Sequence, residues 1–520
     1  MSQFTEADSS VNRLNAAVTA FEKVLTQPEG TVVEMPIGAA QPSLAERLKR
    51  AVDAVTVKPA QAAAQASAAA QQAQAAQQSA AQSAADAASS AAATGYVDAP
   101  FPDVWAPLND DLRLLAGFAP ADTIPGTSYP LPTKSMTFGR STTATYIDKS
   151  GVLKTAAINE PRFEREGLLM EGQSTNYILN SDDPSKWGSH GSLTDQVIVD
   201  GVTQAVTYFG TVNAATPSNN HWIVGTPTIT AAAGEIFTIS ARFKSTSDRV
   251  RFRFALDNVQ IADVAFDGIT GARAGGPSGG ATYTTSLGSD GYIYASMTIA
   301  VASAGSLVGQ IWFNGTANIA VGAAIYVQTV QVEKNAFTTS YIPTGASAVT
   351  RAADDCTLQR SGNDNYFGPV TFAMEVHCNG QTVASSDANN RRGIISYYPS
   401  STEWVFAALN SSPGAAGRPM FCYASPALVG GATAIDDGKI HNMVFFSDTI
   451  NKKIFTDGAV VTSDIITRPT PGNVGVSNNT IYIGRGAGSA TPGARMLNGH
   501  IRNLRIWHRA LSEIQIKGLR

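Results

Sequence analysis

Charge is scarce in this chain. Only 15% of its 520 residues are Asp, Glu, Lys or Arg, and they balance to −4, so the basic excess of a general nucleic-acid binder is missing. Cysteine is scarcer still: Cys356, Cys378 and Cys422 stand too far apart for a zinc or dithiol motif. An odd trio of this kind reads as buried thiols in a protein that folds in a reducing cytoplasm. No basic and apolar secretory pattern follows Met1-Ser2-Gln3-Phe4, and no window is long and apolar enough for a membrane span. Neither nucleic acid nor membrane insertion is expected. No two of the histidines (His190, His221, His377, His441, His500 and His508) stand at i, i+4, so no metal and no cofactor is expected either.

What stands at the N-terminus instead is a heptad seam. Phe4, Ala7, Val11, Leu14, Val18, Phe21 and Leu25 alternate steps of three and four, which keeps them on one stripe of a supercoiling helix. A helix of this length is marginal alone in water, so the seam argues for self-association. Gln27-Pro28-Glu29-Gly30 stops it. A second helix is announced by Pro42-Ser43-Leu44-Ala45-Glu46, with Ser43 as the cap and Glu46 closing a capping box. Its seam of Leu44, Leu48, Ala51 and Val55 ends before Pro59. From Ala60 to Ala93 runs an Ala/Gln/Ser tract without Gly or Pro. Two readings fit it: a slim Ala-core coiled coil, roughly 50 Å long at ~1.5 Å per residue, and a low-complexity linker that is helical only in part.

Beyond Gly95 the prolines multiply through Pro132, which reads as a non-helical connector, and strand patterns then dominate. Phe237, Ile239, Ala241 and Phe243 alternate with polar residues, as do Val250, Phe252, Phe254 and Leu256. Ser245-Thr246-Ser247-Asp248 between them predicts a turn, and the two strands a hairpin. Ile293, Ala295, Met297, Ile299 and Val301 repeat the pattern, and after a boundary near 349–355 it restarts with Val370, Phe372, Met374, Val376 and Cys378. A short helix is expected over 510–519. The segments are then helices at 1–58, the Ala/Gln-rich stalk at 59–94, the connector at 95–135, and β-sandwiches at 136–352 and 353–520.

Several stretches carry a resemblance. The tract after "PSLAERLKRAV" resembles the stalks of phage side tail fibres. "TFGRSTTATYIDKSGVLKTAAINEPRFEREGLLMEGQSTNYILNSDDPSKW" (137–187) and "VQVEKNAFTTSYIPTGASAVTRAADD" (330–355) are similar to the opening and close of a carbohydrate-binding-like jelly roll of phage tail proteins. "DGKIHNMVFFSDTINKKIFTDG" (437–458) and "LNGHIRNLRIWHRALSEIQI" (497–516) resemble laminin-G-like, concanavalin-A-type lectin sandwiches. The resemblance implies a mainly β chain with an N-terminal trimeric α-helical coiled-coil stalk followed by two antiparallel β-sandwich (jelly-roll) domains. It implies a homotrimeric virion tail fibre, made in the host bacterial cytoplasm, with a tail or baseplate protein at its N-terminus. Its C-terminal domains would meet a host surface glycan, lipopolysaccharide or capsule. A depolymerising tailspike and a structural adaptor are the alternatives.

Candidate chemistry follows from residue types. Arg242, Lys244, Arg249, Arg251 and Arg253 share the outward face of the expected hairpin, with Asp248 the only acid among them. Cations crowded on one face point to an anionic partner such as a phosphorylated or acidic glycan; the other reading is pairing with acids of a neighbouring strand or subunit. A second candidate is the polar loop Ser386-Asp387-Ala388-Asn389-Asn390-Arg391-Arg392 that leads into a strand with Tyr397 and Tyr398, with Trp404 just beyond and Trp222 after Asn219-Asn220-His221 elsewhere. Aromatic faces beside polar groups hold sugars, although each aromatic also reads as core. Gly276-Pro277-Ser278-Gly279-Gly280 matches a nucleophile elbow only formally, because it lies between strand patterns. Glu375, Asp436, Asp437 and Asp457 supply carboxylates, but nothing sets two of them across a cleft. The expectation is a binding protein and not an enzyme.

Overall fold

The computed structural model describes residues 2–36, 39–53, 67, 69–79, 98–118, 122–123, 130–131, 136–187, 193–213, 221–246, 249–313, 319–365, 368–378, 391–397, 405–411, 415–423, 429–465, 480–486 and 495–519. The chain divides into two units, Met1–Tyr96 and Val97–Arg520.

In the first unit the heptad segment forms the helix Ser2–Thr26. Ala20 and Val24 are buried toward the small ladder of Val32–Val33 and Gln41–Pro42, where Val33 is buried too. Val11, Leu14, Val18, Phe21 and Leu25 are left 48% to 63% exposed. Ser43 caps the next helix, over 44–53, by accepting from the Glu46 amide at 3.1 Å. Glu46 does not close the capping box. Its carboxylate accepts from the Gly30 amide at 3.0 Å, while the Ser43 amide is taken by the Thr31 carbonyl. Of the expected stalk, residues 69–79 are helical and most of the rest lies outside the described residues.

The second unit is built from antiparallel sheets packed in two pairs. Sheet 1 runs in the order Leu193–Val199, Val206–Val212, Ala324–Glu333, Ile236–Ser245, Ile293–Ala300, Thr282–Leu287. Sheet 2 runs His221–Gly225, Gly305–Phe313, Val250–Leu256, Val259–Phe266, Arg273–Gly275. The period-two alternation is realised residue by residue: Phe237, Ile239, Ala241 and Phe243 meet Val250, Phe252, Phe254 and Leu256 in one core. The rings of Phe243 and Phe252 touch edge to face, with centroids 5.9 Å apart.

That contact corrects the expected hairpin. Ile236–Ser245 pairs with Ile293–Ala300 and Ala324–Glu333, whereas Val250–Leu256 pairs with Val259–Phe266 and Gly305–Phe313. Consecutive strands here cross from one sheet to the other. Alternation fixes which face of a strand is buried, but it does not choose the partner.

The remaining strands form the C-terminal sandwich. Sheet 3 has the order Ala459–Ile465, Asn451–Thr456, Ile440–Ser447, Val370–His377, Gly499–Trp507, Gly167–Met170, Phe163–Glu164, and Val104–Ala106 also pairs with Gly499–Trp507. Sheet 4 has Val429–Gly430, Pro419–Tyr423, Val405–Leu409, Arg392–Tyr397, Thr480–Ile483, Asp355–Gln359, Thr137–Gly139. The expected short helix is present as Glu513–Lys517, capped by Ser512 with Gln515 reciprocating. All three cysteines are buried free thiols.

The sheets therefore divide elsewhere than at residue 136. Strands from the proline-rich connector and from 137–170 complete the C-terminal sandwich, where Val104, Ala106, Leu108 and Leu114 join its core. The middle sandwich is an insertion, entered at Ser174–Asn176 and left at Val349–Arg351, and these two strands pair with each other. A buried ion network ties the crossing together. Arg162 donates to Glu171 at 2.8 Å and to Asp354 at 2.6 Å, Arg140 donates to Asp354 at 3.1 Å, and Arg351 lies 3.4 Å from Glu171. Burial raises the Glu171 carboxyl, but Arg351 and Arg162 outweigh it and hold the group at about 2.

Candidate functional site

Arg251 and Arg253 project from sheet 2 because their neighbours Val250, Phe252 and Phe254 are drawn into the core. Arg249 precedes the same strand, and its guanidinium lies over Gly275, about 3.8 Å from where a Cβ would stand. The adjoining strand Gly305–Phe313 alternates likewise, which turns Gln310 and Trp312 outward. Register sets Arg251 opposite Trp312 and Arg253 opposite Gln310, and on the far side Trp312 is opposite Trp222. The Arg253 guanidinium sits 5.1 Å from the Trp312 ring centroid. Asp263 approaches Arg251 at 3.5 Å and also accepts from the Ser278 hydroxyl at 2.7 Å. Burial, followed by the charge of Arg251, holds the Arg253 guanidinium below its ordinary value. An anion laid on this face relieves that repulsion, and the indoles offer flat apolar surface for a sugar ring.

Arg242 and Lys244 do not belong to this face. They project from sheet 1, where Arg242 pairs with Asp290, donates to Gln328 at 3.1 Å and stacks 4.5 Å from Tyr292. Lys244 lies between Tyr292 and Tyr326. For Arg242 the neighbouring-strand reading holds. The second candidate group also separates. Arg392 is buried, donating to the Leu497 carbonyl at 2.9 Å and facing Asp436 at 3.3 Å, so it ties those segments together and is withdrawn from the surface. Tyr397 is buried against Asp364. Arg391 is half-buried, and its burial and Arg495 both disfavour its charge. Asn390, Tyr398 and Trp404 lie outside the described residues.

The carboxylates considered for catalysis are engaged elsewhere. Glu375 binds Arg502, Asp436 faces Arg392, and Asp437 and Asp457 both contact His441 at 2.9 Å. Ser278 sits in a loop, bonded to Asp263.

A cleft of about 1040 Å³ opens between the two sandwiches. One wall is the outer surface of sheet 1, carrying Tyr294, Thr284, Ser296 and Thr298; the other carries Glu164, Asn498 and His500. Hydroxyl pairs Thr284–Ser296 at 2.7 Å and Thr238–Thr298 at 2.8 Å line the first wall in rungs. Its lip is the edge strand Thr282–Leu287, exposed throughout. Sequence reading missed both Trp312 and this cleft. Outward Trp312 was available from the alternation Leu307, Gly309, Ile311, Phe313; the cleft needs the insertion, which no local pattern displays.

A family model described as the concanavalin A-like lectin/glucanases superfamily matches residues 372–517. The C-terminal sandwich thus carries a laminin-G-like, concanavalin-A-like lectin domain. No curated protein matches the chain. Among solved structures, it is similar to domain 4 of AbnA, a GH43 extracellular arabinanase from Geobacillus stearothermophilus in complex with arabinotriose, at 16% identity over 35% of this chain and 81% of that one, with a TM-score of 0.24. It is also similar to the Ruminococcus gnavus IT-sialidase CBM40, at 9% identity over 31% and 86%, TM-score 0.24. A native heptameric SAP-like pentraxin from Limulus polyphemus matches at 15% identity over 29% and 68%, TM-score 0.21.

Proposed function

We propose that this chain is a phage tail fibre that attaches its particle to an anionic glycan of a bacterial surface, lipopolysaccharide or capsule. The observation that carries the glycan reading is the outer face of sheet 2, where Arg249, Arg251 and Arg253 share one side of a strand, Arg253 stacks on Trp312 and Asp263 lies 3.5 Å from Arg251. Guanidinium groups bind phosphate and carboxylate in a planar, forked geometry, and an indole takes the apolar face of a sugar. The lectin domain at 372–517 supports the same ligand class. The fibre reading rests on the tail-fibre resemblance of the stalk and sandwich segments and on the heptad stripe. Copies twined as a homotrimer would hold several weak sites together, raising avidity without new contacts. The virion would be its place, with a tail or baseplate protein as its N-terminal partner. No described helix is long and apolar enough to cross a membrane.

The test is retention of full-length protein on immobilised lipopolysaccharide, phosphorylated or dephosphorylated. Arg249→Ser, Arg251→Ser and Arg253→Ser together should reduce retention on the phosphorylated form at least tenfold, with little change on the other. Equal retention by wild type and triple variant removes this face from the site. The description of the matched family includes glucanases, so catalysis is a second reading. Shortening of the polysaccharide chains on incubation would establish it.

A further inference from the structure

The register of sheet 3 brings together residues that the sequence scatters. His377 stands directly opposite His500 on neighbouring strands, and the other neighbour of His500 is Leu169. One strand further on, Glu164 reaches back over Gly167, its own partner in the ladder. Gly167 has a φ of +120°, and a Cβ there would stand 2.6 Å from the Ile501 carbonyl, so only glycine lets the strands approach this closely. The results are three linked contacts. His500 Nε2 lies 2.8 Å from Glu164 Oε2, the two Nδ1 atoms of His500 and His377 lie 3.1 Å apart, and His377 Nε2 lies 3.2 Å from the Gly438 carbonyl.

A carbonyl can only accept, so His377 Nε2 is the donor in that contact. A neutral His377 then accepts at Nδ1, and His500 donates from its own Nδ1. His500 Nε2 is left as a bare lone pair aimed at a carboxylate oxygen. Two such atoms at 2.8 Å need a cation between them, either a proton on His500 or a metal ion shared by both. Glu166 supplies a second carboxylate, and one ligand atom from each of Glu164, Glu166 and His500 lies within 4.8 Å of the others. The second Glu164 oxygen is held by the Ile147 amide at 2.7 Å, which aims the first.

We infer that Glu164, Glu166 and His500 form a binding site for a divalent transition-metal ion of the zinc class, with His377 as the positioning residue behind His500. Ligands at about 2.1 Å from one ion stand roughly 3 to 4 Å apart, a spacing that half-exposed Glu166 reaches by rotating. Imidazole with two carboxylates suits zinc, whereas calcium takes six to eight oxygens. His377 accepts the Nδ1–H of His500, and a partner that takes the far N–H of an imidazole ligand fixes its tautomer and ring orientation. Glu164 and His500 also line the inter-sandwich cleft, so the remaining coordination position opens toward that space.

The test is isothermal titration of metal-stripped full-length protein with zinc chloride, with calcium chloride in a parallel titration. One zinc per chain is expected. Glu166→Gln, a half-exposed position, should weaken binding at least tenfold while leaving the metal-free melting temperature unchanged. His377→Ala should weaken it about tenfold through the orientation of His500. Absence of saturable zinc uptake, uptake unaffected by Glu166→Gln, or tighter binding of calcium than of zinc each overturns the inference; in the first case a proton alone bridges Glu164 and His500.

Discussion

Glu333 is fully buried at the root of the middle sandwich, where it accepts from the Ser174 hydroxyl at 2.6 Å, the Thr339 hydroxyl at 2.5 Å, the Thr339 amide at 3.0 Å and Gln331 Nε2 at 3.0 Å. Burial outweighs these donors and pushes its carboxyl up to about 7. An acid whose folded value is raised keeps its proton in the folded chain while the unfolded chain has lost it. Its contribution is therefore complete below the unfolded value and disappears as pH rises from about 4.5 to about 7, on the order of 3 kcal/mol. Urea midpoints should fall between pH 5 and pH 8, and Glu333→Gln should flatten that slope. The amide fits because its NH2 can face the two hydroxyls, which turn to accept, while its oxygen takes the Thr339 amide and Gln331. An unaltered slope in the variant would assign the pH dependence to another group. Glu171 has the opposite sign: held at about 2 by Arg351 and Arg162 against its burial, it supports the crossing above pH ~4.5 and is lost only in strong acid.

The strand Val250–Leu256 shows how one element serves two purposes. Its inward residues are fully buried between the sheets, and its outward arginines carry the proposed ligand face. Phe252→Ala should cost about 3–5 kcal/mol, because it removes a ring wedged against Phe243 and Phe266. Arg251→Ser, which loses one loose ion pair at 3.5 Å on the outer face and leaves the core packing intact, should cost less, about 1 kcal/mol. Guanidinium denaturation of both variants checks the contrast. Much of this strand was legible beforehand, because period-two burial is a local property of the chain. Its hairpin with Ile236–Ser245 was misread for the same reason: the pattern looks alike whether the next strand stays in the sheet or crosses to the facing one. Arg392 was misread because a charged residue before a strand looks solvated until Asp436 and the Leu497 carbonyl are placed around it.

The proposed assembly rests on the first helix. Five large apolar side chains, Val11, Leu14, Val18, Phe21 and Leu25, keep a contiguous stripe in water although Ala20 and Val24 already bury the adjacent surface. Each would gain about 1.5–3 kcal/mol on full burial, which favours copies of the same helix packing seam to seam. Light scattering of the full chain at micromolar concentration should give a trimer mass, and Leu14→Asp with Val18→Asp should give the monomer. A monomeric wild type would overturn the proposed assembly.

Local repetition along the chain was sufficient to establish the helical N-terminal segment, the mainly β remainder, the buried faces of its strands and the arginine row. Each of these depends on neighbours within a few residues, so spacing alone reveals it. The discontinuous C-terminal sandwich, the inserted middle one, the separation of Arg242 from Arg253, the meeting of Arg253 with Trp312 and the convergence of Glu164, His377 and His500 came only with the folded chain. Those are pairings across tens to hundreds of residues, chosen by which sheets close around a common core, and no periodicity in the chain encodes that choice.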